Sequence, residues 1–320
     1  MVDADYSTSL DRVILATSAP SELVILTPGT LDAQQVSLPL IPSSLSVAPD
    51  GLSAAVAHNG FISIVDLANG VLSKTIPTTT VAGDIVLAGN GFAYLLPESD
   101  QWVGIHSIDI AAGIDYGDDN SWGIYAGTIA KLHPSGLAIY GITVGLSPTD
   151  IEIYDISGGV VGQIKDSPYH GDYAMCGDLW LGKDGARIFT GCGTAFKASP
   201  GTAEDMKYSG ALEESSAGQL TYRSIVHDPT KGKVYAIGHE GPLWDDSPNP
   251  SETLVRAYSY DFLASEGSLP IPCMESGSTK AIAYGRFVFV SSDGAQIHVL
   301  TQAEQSGLVD EWGLVTLAAP

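Results

Sequence analysis

Residues 45–76 read LSVAPDGLSAAVAHNGFISIVDLANGVLSKTI. Apolar and polar side chains alternate through LSVA, LSAAVA, FISIVD and VLSKTI. A period of two puts one set of side chains on each side of a β-strand. Pro49-Asp50-Gly51 and Ala68-Asn69-Gly70 reverse the chain between runs, because Gly and Asn accept positive φ and Pro holds φ where a turn needs it. The stretch therefore predicts a meander of short strands, with Asp66 ending its third run.

Both halves of this phrase recur. The strand-turn-strand half returns as AKLH-PSG-LAIYGI around Ser135 and Gly136, as LWLG-KDG-ARIFTG around Asp184 and Gly185, and as SIVH-DPTKG-KVYAIG around Gly232. The Asp-ended half returns as VGIHSID at Asp109, IEIYD at Asp155 and VRAYSYD at Asp261, with fainter copies near Thr27 and Thr301. Self-similarity at roughly 40 residues, with four strands per unit, predicts an all-β fold: a seven-bladed β-propeller of four-stranded antiparallel blades, one domain over 1–320. The blades fall at approximately 4–40, 45–80, 83–121, 123–167, 172–213, 218–270 and 277–318. With strands lettered A to D from the axis outward, unit one is DYSTS, RVILAT, ELVILT, QQVSLP, and unit seven is TKAIAY, RFVFVSS, QIHVLT, WGLVTL. Both are nearly complete, so the ends are expected to close by packing, a strand borrowed across them being the alternative.

The phrases resemble the YVTN and WD40-like repeats of bacterial seven-bladed propellers, over almost the whole chain. The strand-turn-strand phrases and the Asp-turn pattern at Asp66, Asp109 and Asp155 carry the resemblance. The letters YVTN and the Trp-Asp dipeptide do not stand at the repeat positions; Trp244-Asp245 falls in a loop. The resemblance implies the fold and transfers no functional residue, because such propellers bind many different things.

Composition narrows the partners. The chain has 37 Asp and Glu against 14 Lys and Arg, a net charge of −23. Nucleic-acid binding needs a basic stripe to neutralise phosphates, and the sequence offers none. Anionic membrane surfaces are disfavoured for the same reason, and no run is long and apolar enough to span a membrane. Cations, neutral sugars and basic peptides remain, although acidity of this size also suits plain solubility in a salty exterior.

Three cysteines bear on location. There is no CxxC, which argues against zinc and thioredoxin-like chemistry. Cys176 and Cys192 flank the hairpin CGDLWLG-KDG-ARIFTGC. If its turn centres on Asp184, the two stand opposite each other, near disulfide range. A bridge implies an oxidising compartment; two aligned buried thiols are the alternative. Met1 is followed by VDADYS, not by a basic and apolar leader. The expected reading is a monomer or a domain of a larger exported protein, secreted, periplasmic or at the cell surface, with the cytoplasm as alternative.

The D-to-A and B-to-C connections of a propeller emerge on one face, and here they are the long ones. They carry DDNSWGIYAG (118–127), DSPYHGDYAM (166–175), PESDQW (97–102) and HEGPLWDDSPNPSE (239–252). Long loops in compact domains tend to be functional. Aromatic faces stack on sugars or take cations, and carboxylates accept hydroxyl or ammonium hydrogen bonds. The expected ligand-binding residues are Trp102, Trp122, Tyr169, His170, Tyr173, His239 and Trp244, receiving a carbohydrate or a protein or peptide ligand. No cofactor is expected. Asp115, Asp118, Asp119 and Asn120 could offer oxygens to calcium, off the EF-hand spacing. His58, His170 and His239 share the loop-rich side and could hold zinc or act as a base. No GxSxG, HExxH, GxxxxGK[ST] or usable GxGxxG occurs. The expected function is a non-catalytic extracellular binding propeller. The alternative is a lyase, lactonase or other hydrolase on the same face, with His170, Tyr173 and Arg223 as its catalytic set.

Overall fold

A computed structural model describes the chain except for residues 118–122, 214–219, 242–246, 248, 277–278, 304–307 and 309–310. It divides into two compact units, Met1–Asp172 and Tyr173–Pro320. Among the described residues helix is confined to one 3-10 turn, Pro250–Thr253.

The first unit opens with a four-stranded antiparallel sheet in chain order: Asp3–Ser7, Arg12–Ser18, Ser21–Leu26 and Ala33–Ser37. A six-stranded sheet follows, in the spatial order Pro42–Val47, Ser53–Asp66, Val71–Leu87, Phe92–Pro97, His106–Asp109 and Ile114–Tyr116. In two of its strands the two ladders run along different halves. Residues 54–58 pair with Pro42–Val47 and 59–66 with Val71–Leu87, which passes to Phe92–Pro97 from Ala82 onward. Ser53–Asp66 folds back at Asn59-Gly60. Gly60 has φ 84°, the His58 ring stacks on Phe61 at 4.6 Å, and His58 Nε2 lies 3.0 Å from Ser63 Oγ. An extended strand would hold residues five apart about 16 Å from each other. The unit ends with a sheet of Ile129–Leu132, Ala138–Ile142, Ile151–Asp155 and Ile164–Asp166.

The second unit has two four-stranded sheets in chain order. One is Leu179–Leu181, Arg187–Thr190, Thr194–Lys197 and Tyr208–Ala211; the other is Leu220–Asp228, Lys233–Glu240, Leu254–Ser259 and Ser265–Pro270. A three-stranded sheet of Tyr284–Val290, Gln296–Gln302 and Trp312–Ala318 closes the chain. Here the structure corrects the sequence reading. The expected first strand TKAIAY is not in this sheet; Thr279–Ala281 pairs backward with Met274–Ser276. The longer alternation YGRFVFV takes the first position instead, with a bulge between Gly285 and Phe287.

The repeated letters prove to be turn chemistry. Gly51, Gly136, Gly185 and Gly294 have φ 71°, 70°, 70° and 69°. Their N–H groups donate to the carbonyls of Ala48, His133, Gly182 and Ser291, three residues back, at 2.8, 2.8, 2.8 and 3.0 Å. Asp50, Asp184 and Asp293 accept from the N–H two residues on. At the other turn, Asp66, Asp109 and Asp155 accept from Asn69 N, Ala112 N and Ser157 N at 3.0, 2.8 and 2.9 Å. These bonds settle backbone donors that a turn leaves unpaired.

Neighbouring first strands are stitched by side chains. Asp3 and Asp5 accept from Leu45 N and Val47 N, and Asp84 from Ala130 N, each at 2.8 Å. Ser46 Oγ accepts from Leu87 N, and in the second unit Ser224 Oγ accepts from Val288 N at 3.1 Å. Each stitch pairs an N–H on an otherwise open strand edge. Apolar side chains fill the space between sheets, as where Val86, Tyr94 and Leu96 meet Ala130, Ile139 and Tyr154. Burying each large one contributes about 1.5–3 kcal/mol.

Cys176 and Cys192 are bridged, with Cα atoms 5.2 Å apart, and Cys273 is an exposed free thiol. The register beneath the bridge differs from the one expected. Leu179 faces Thr190 and Leu181 faces Ile188, so the hairpin centres between Asp184 and Gly185. Cys176 lies before the strand begins and Cys192 in the turn after it. The bridge therefore joins two loop positions outside the ladder.

Candidate functional site

In the first unit the connection 98–105 contains a short strand, Trp102–Val103, which pairs with Ile124–Tyr125 from the connection after Ile114–Tyr116. Two loops distant in sequence thus form one ribbon. A Cβ on Gly123 would stand 2.9 Å from Val103 N, so the close approach requires glycine there. Trp102 is 63 % exposed, and Tyr125 meets its ring edge-on at 5.8 Å. Asp100, beside it, adopts φ 87°, which side chains other than glycine rarely use. A third loop, 143–150, reaches the same ribbon: a Cβ on Gly145 would press on the Tyr125 ring at 2.8 Å. Pro148 of that loop lies against Gly171, next to His170. His170 is 82 % exposed in its side chain, with Nδ1 3.9 Å from Asp150 Oδ2. Tyr169 is half-buried; its N–H and carbonyl both engage Ser167 Oγ.

Carboxylates line the base of this cluster. Asp150 accepts from Ser167 Oγ at 2.5 Å and from Ile151 N at 2.7 Å, and burial raises its pKa. Glu152 accepts from Tyr154 Oη at 2.6 Å and is paired in register with Asp166. Burial pushes Glu152 up to about 7. The folded state thus holds a proton that the unfolded chain, near 4.5, releases. That stabilisation is present below about pH 4.5 and is lost as pH rises through about 7. Glu152→Gln keeps the acceptor for Tyr154 and removes the titration. It is expected to stabilise the protein by about 3 kcal/mol at pH 8 and to change little at pH 4.5. Urea midpoints at the two pH values check this; equal destabilisation at both would contradict it.

Other sequence candidates lie elsewhere. Asp115 gives its oxygens to the strands around it: Oδ1 to His106 Nδ1 and Oδ2 to Thr79 N and Oγ1, all at 2.8 Å. Asp118, Asp119, Asn120 and Trp122 fall outside the described residues, as does Trp244. His58 is buried, with Nδ1 3.2 Å from Ile41 O and Nε2 on Ser63, and burial lowers its pKa. Both ring nitrogens are engaged within the fold. Among the described residues no group of three His, Cys, Asp or Glu side chains converges as a metal site would.

In the second unit Tyr173 stacks on Tyr208 at 4.0 Å, 6° from parallel, with Phe196 edge-on. Arg223 and His239 meet in a cluster that the sequence did not suggest. The 3-10 turn Pro250–Thr253, capped by the Asn249 side chain, carries the fully buried Glu252 inward. Glu252 Oε1 accepts from Arg223 Nε at 2.7 Å and His239 Nδ1 at 2.8 Å; Oε2 accepts from Arg286 Nη1 at 2.9 Å. Arg286 also donates from Nε to Gln302 Oε1 at 3.1 Å. Arg223 and Arg286 come from the first strands of adjacent sheets. In sequence Glu252 is the tail of the loop 239–252, and nothing in its spacing ties it to Arg286.

Across the chain the fold is similar to Kuenenia stuttgartiensis hydrazine synthase, at 14 % identity, covering 99 % of this chain and 96 % of that one, TM-score 0.66. It is also similar to the Cps50 (Swd1) β-propeller domain of Myceliophteria thermophila, at 11 % identity, covering 100 % and 97 %, TM-score 0.69. At such identities the likeness is one of fold: an all-β propeller of antiparallel blades, of WD40 type. No known family profile and no curated protein sequence matches.

Proposed function

We propose that the protein is a non-catalytic binding propeller that takes a carbohydrate at the ribbon of Trp102 and Tyr125. The exposed indole, held by an edge-on tyrosine on a ribbon built from two loops, carries this reading. A rigid aromatic plane suits the apolar side of a sugar, and Asp150 and neighbouring acceptors suit its hydroxyls. Trp102→Ala is expected to weaken binding of a glycan retained on an array by about 1 kcal/mol, several-fold in affinity. Asn69→Ala, at a short turn, should leave it unchanged. Retention of lysine-rich peptides and of no glycan would replace the sugar with a basic peptide. The disulfide supports an exported setting.

The enzymatic alternative has less support in its expected residues. Tyr173 is stacked on Tyr208, and Arg223 is committed to Glu252. We also infer seven blades. The six-stranded sheet carries two successive sets of ladders, and Tyr284–Val290 begins a last blade of three strands. An experimental density map counting six would refute that.

A further inference from the structure

Asn-Gly occurs three times in the chain, at Asn59-Gly60, Asn69-Gly70 and Asn90-Gly91, each time in the first unit. An asparagine followed by glycine is open to an internal reaction. The glycine amide nitrogen loses its proton to base and bonds to the asparagine Cγ. The bond from Cγ to Nδ2 breaks, and Nδ2 leaves as ammonia. Water then opens the cyclic imide at one of its two carbonyls, giving Asp or a backbone-lengthened isoaspartyl residue. Water is the only co-reactant. Glycine hinders the attack least, because it has no side chain and a freely turning backbone.

The structure sets the three steps apart. Asn90 is clamped at both ends of its carboxamide: Nδ2 donates to Tyr94 Oη at 2.9 Å, and Oδ1 accepts from Phe92 N at 3.0 Å. Asn69 Nδ2 donates to Asp66 Oδ2 at 2.7 Å. Gln34 Nε2 donates to Asn69 O at 3.0 Å and covers Gly70, where a Cβ would meet it at 1.9 Å. Asn59 has neither restraint. It is exposed, and among the described residues its carboxamide makes no hydrogen bond. Gly60 has φ 84°, and a Cβ on it would meet nothing within 4 Å. Gly60 also stands between the paired residues, Asn59 facing Val81 and Phe61 facing Pro77.

We propose that Asn59 is a site of spontaneous deamidation in the folded protein, ahead of Asn69 and Asn90, and that its isoaspartyl product weakens the fold. The flanks of this turn are fixed. The His58 ring bonds Ile41 O and Ser63 Oγ and stacks on Phe61, which leaves no slack for an added backbone carbon between them. The site is separate from the Trp102 ribbon and does not depend on the carbohydrate reading.

The test holds the intact protein in mildly alkaline buffer and follows each Asn-Gly peptide by mass spectrometry. Asn59 should convert about ten-fold faster than either other asparagine, whose carboxamide hydrogen bonds must first open. In urea all three should convert at similar rates. Asp66→Ala should speed conversion of Asn69 by about ten-fold, the value of the bond it removes, with Asn59 unchanged as the sign that the variant is folded. The isoaspartyl fraction, isolated by its added negative charge, should unfold at lower urea than fresh protein. Conversion of Asn69 or Asn90 first, equal rates in the folded protein, no response of Asn69 to Asp66→Ala, or an isoaspartyl fraction with an unchanged urea midpoint would each overturn the proposal.

Discussion

Glu252→Ala is expected to destabilise the protein by about 3–5 kcal/mol, the usual result of removing one partner from a buried ionic network. Three donors end on this carboxylate: Arg223 Nε, His239 Nδ1 and Arg286 Nη1. Without it, two guanidiniums from adjacent first strands lose the carboxylate they share. The loss should appear as a lower urea midpoint with an unchanged slope, and as faster amide exchange in Leu220–Asp228 and Tyr284–Val290. A loss below about 1 kcal/mol would mean that the cluster is solvated like a surface pair.

Replacing both Cys176 and Cys192 by Ser is expected to cost roughly 3 kcal/mol, the chain-entropy value for a loop of about 15 residues. The separation here is 16 residues. Because the bridge joins loop positions outside the ladder, the hairpin Leu179–Thr190 should survive as a local structure, and the loss should come from the unfolded state. Digestion without reduction should give the two peptides linked and Cys273 alkylated. Alkylation of all three cysteines in the denatured, unreduced protein would contradict the bridge.

Fold class was legible because the repeats are written in turn chemistry. Asp-Gly and Ser-Gly at Gly51, Gly136 and Gly185 demand one backbone geometry, and the structure has it within a degree. What failed was strand bookkeeping at the end of the chain. TKAIAY alternates as well as a first strand should, yet YGRFVFV is longer and Ser224 is placed to receive Val288 N. Local pattern does not choose between two such strands; the neighbouring edge does. Separate runs LSAAVA and FISIVD imply a reversal at His58-Asn59-Gly60, and Asn-Gly is the strongest short hairpin signal.

The site was legible only in part. Trp102 and His170 could be placed on long loops, but the pairing of Trp102 with Tyr125 is a contact between loops that alternation cannot forecast. In sequence Arg223 belongs to a strand and His239 to a loop, with nothing to join them. Glu252, which joins them, lies in a Pro-Ser-Glu-Thr turn that reads as surface loop. A buried carboxylate that exists to hold two arginines leaves no periodic mark in sequence.

Hydrogen–deuterium exchange of the protein with a glycan retained from the array tests the central claim most directly. Binding at the Trp102 ribbon predicts protection in residues 98–106, 123–128, 143–150 and 167–171, with none in the short turns 49–52 and 134–137. Protection confined to those turns, with the ribbon unchanged, would contradict it.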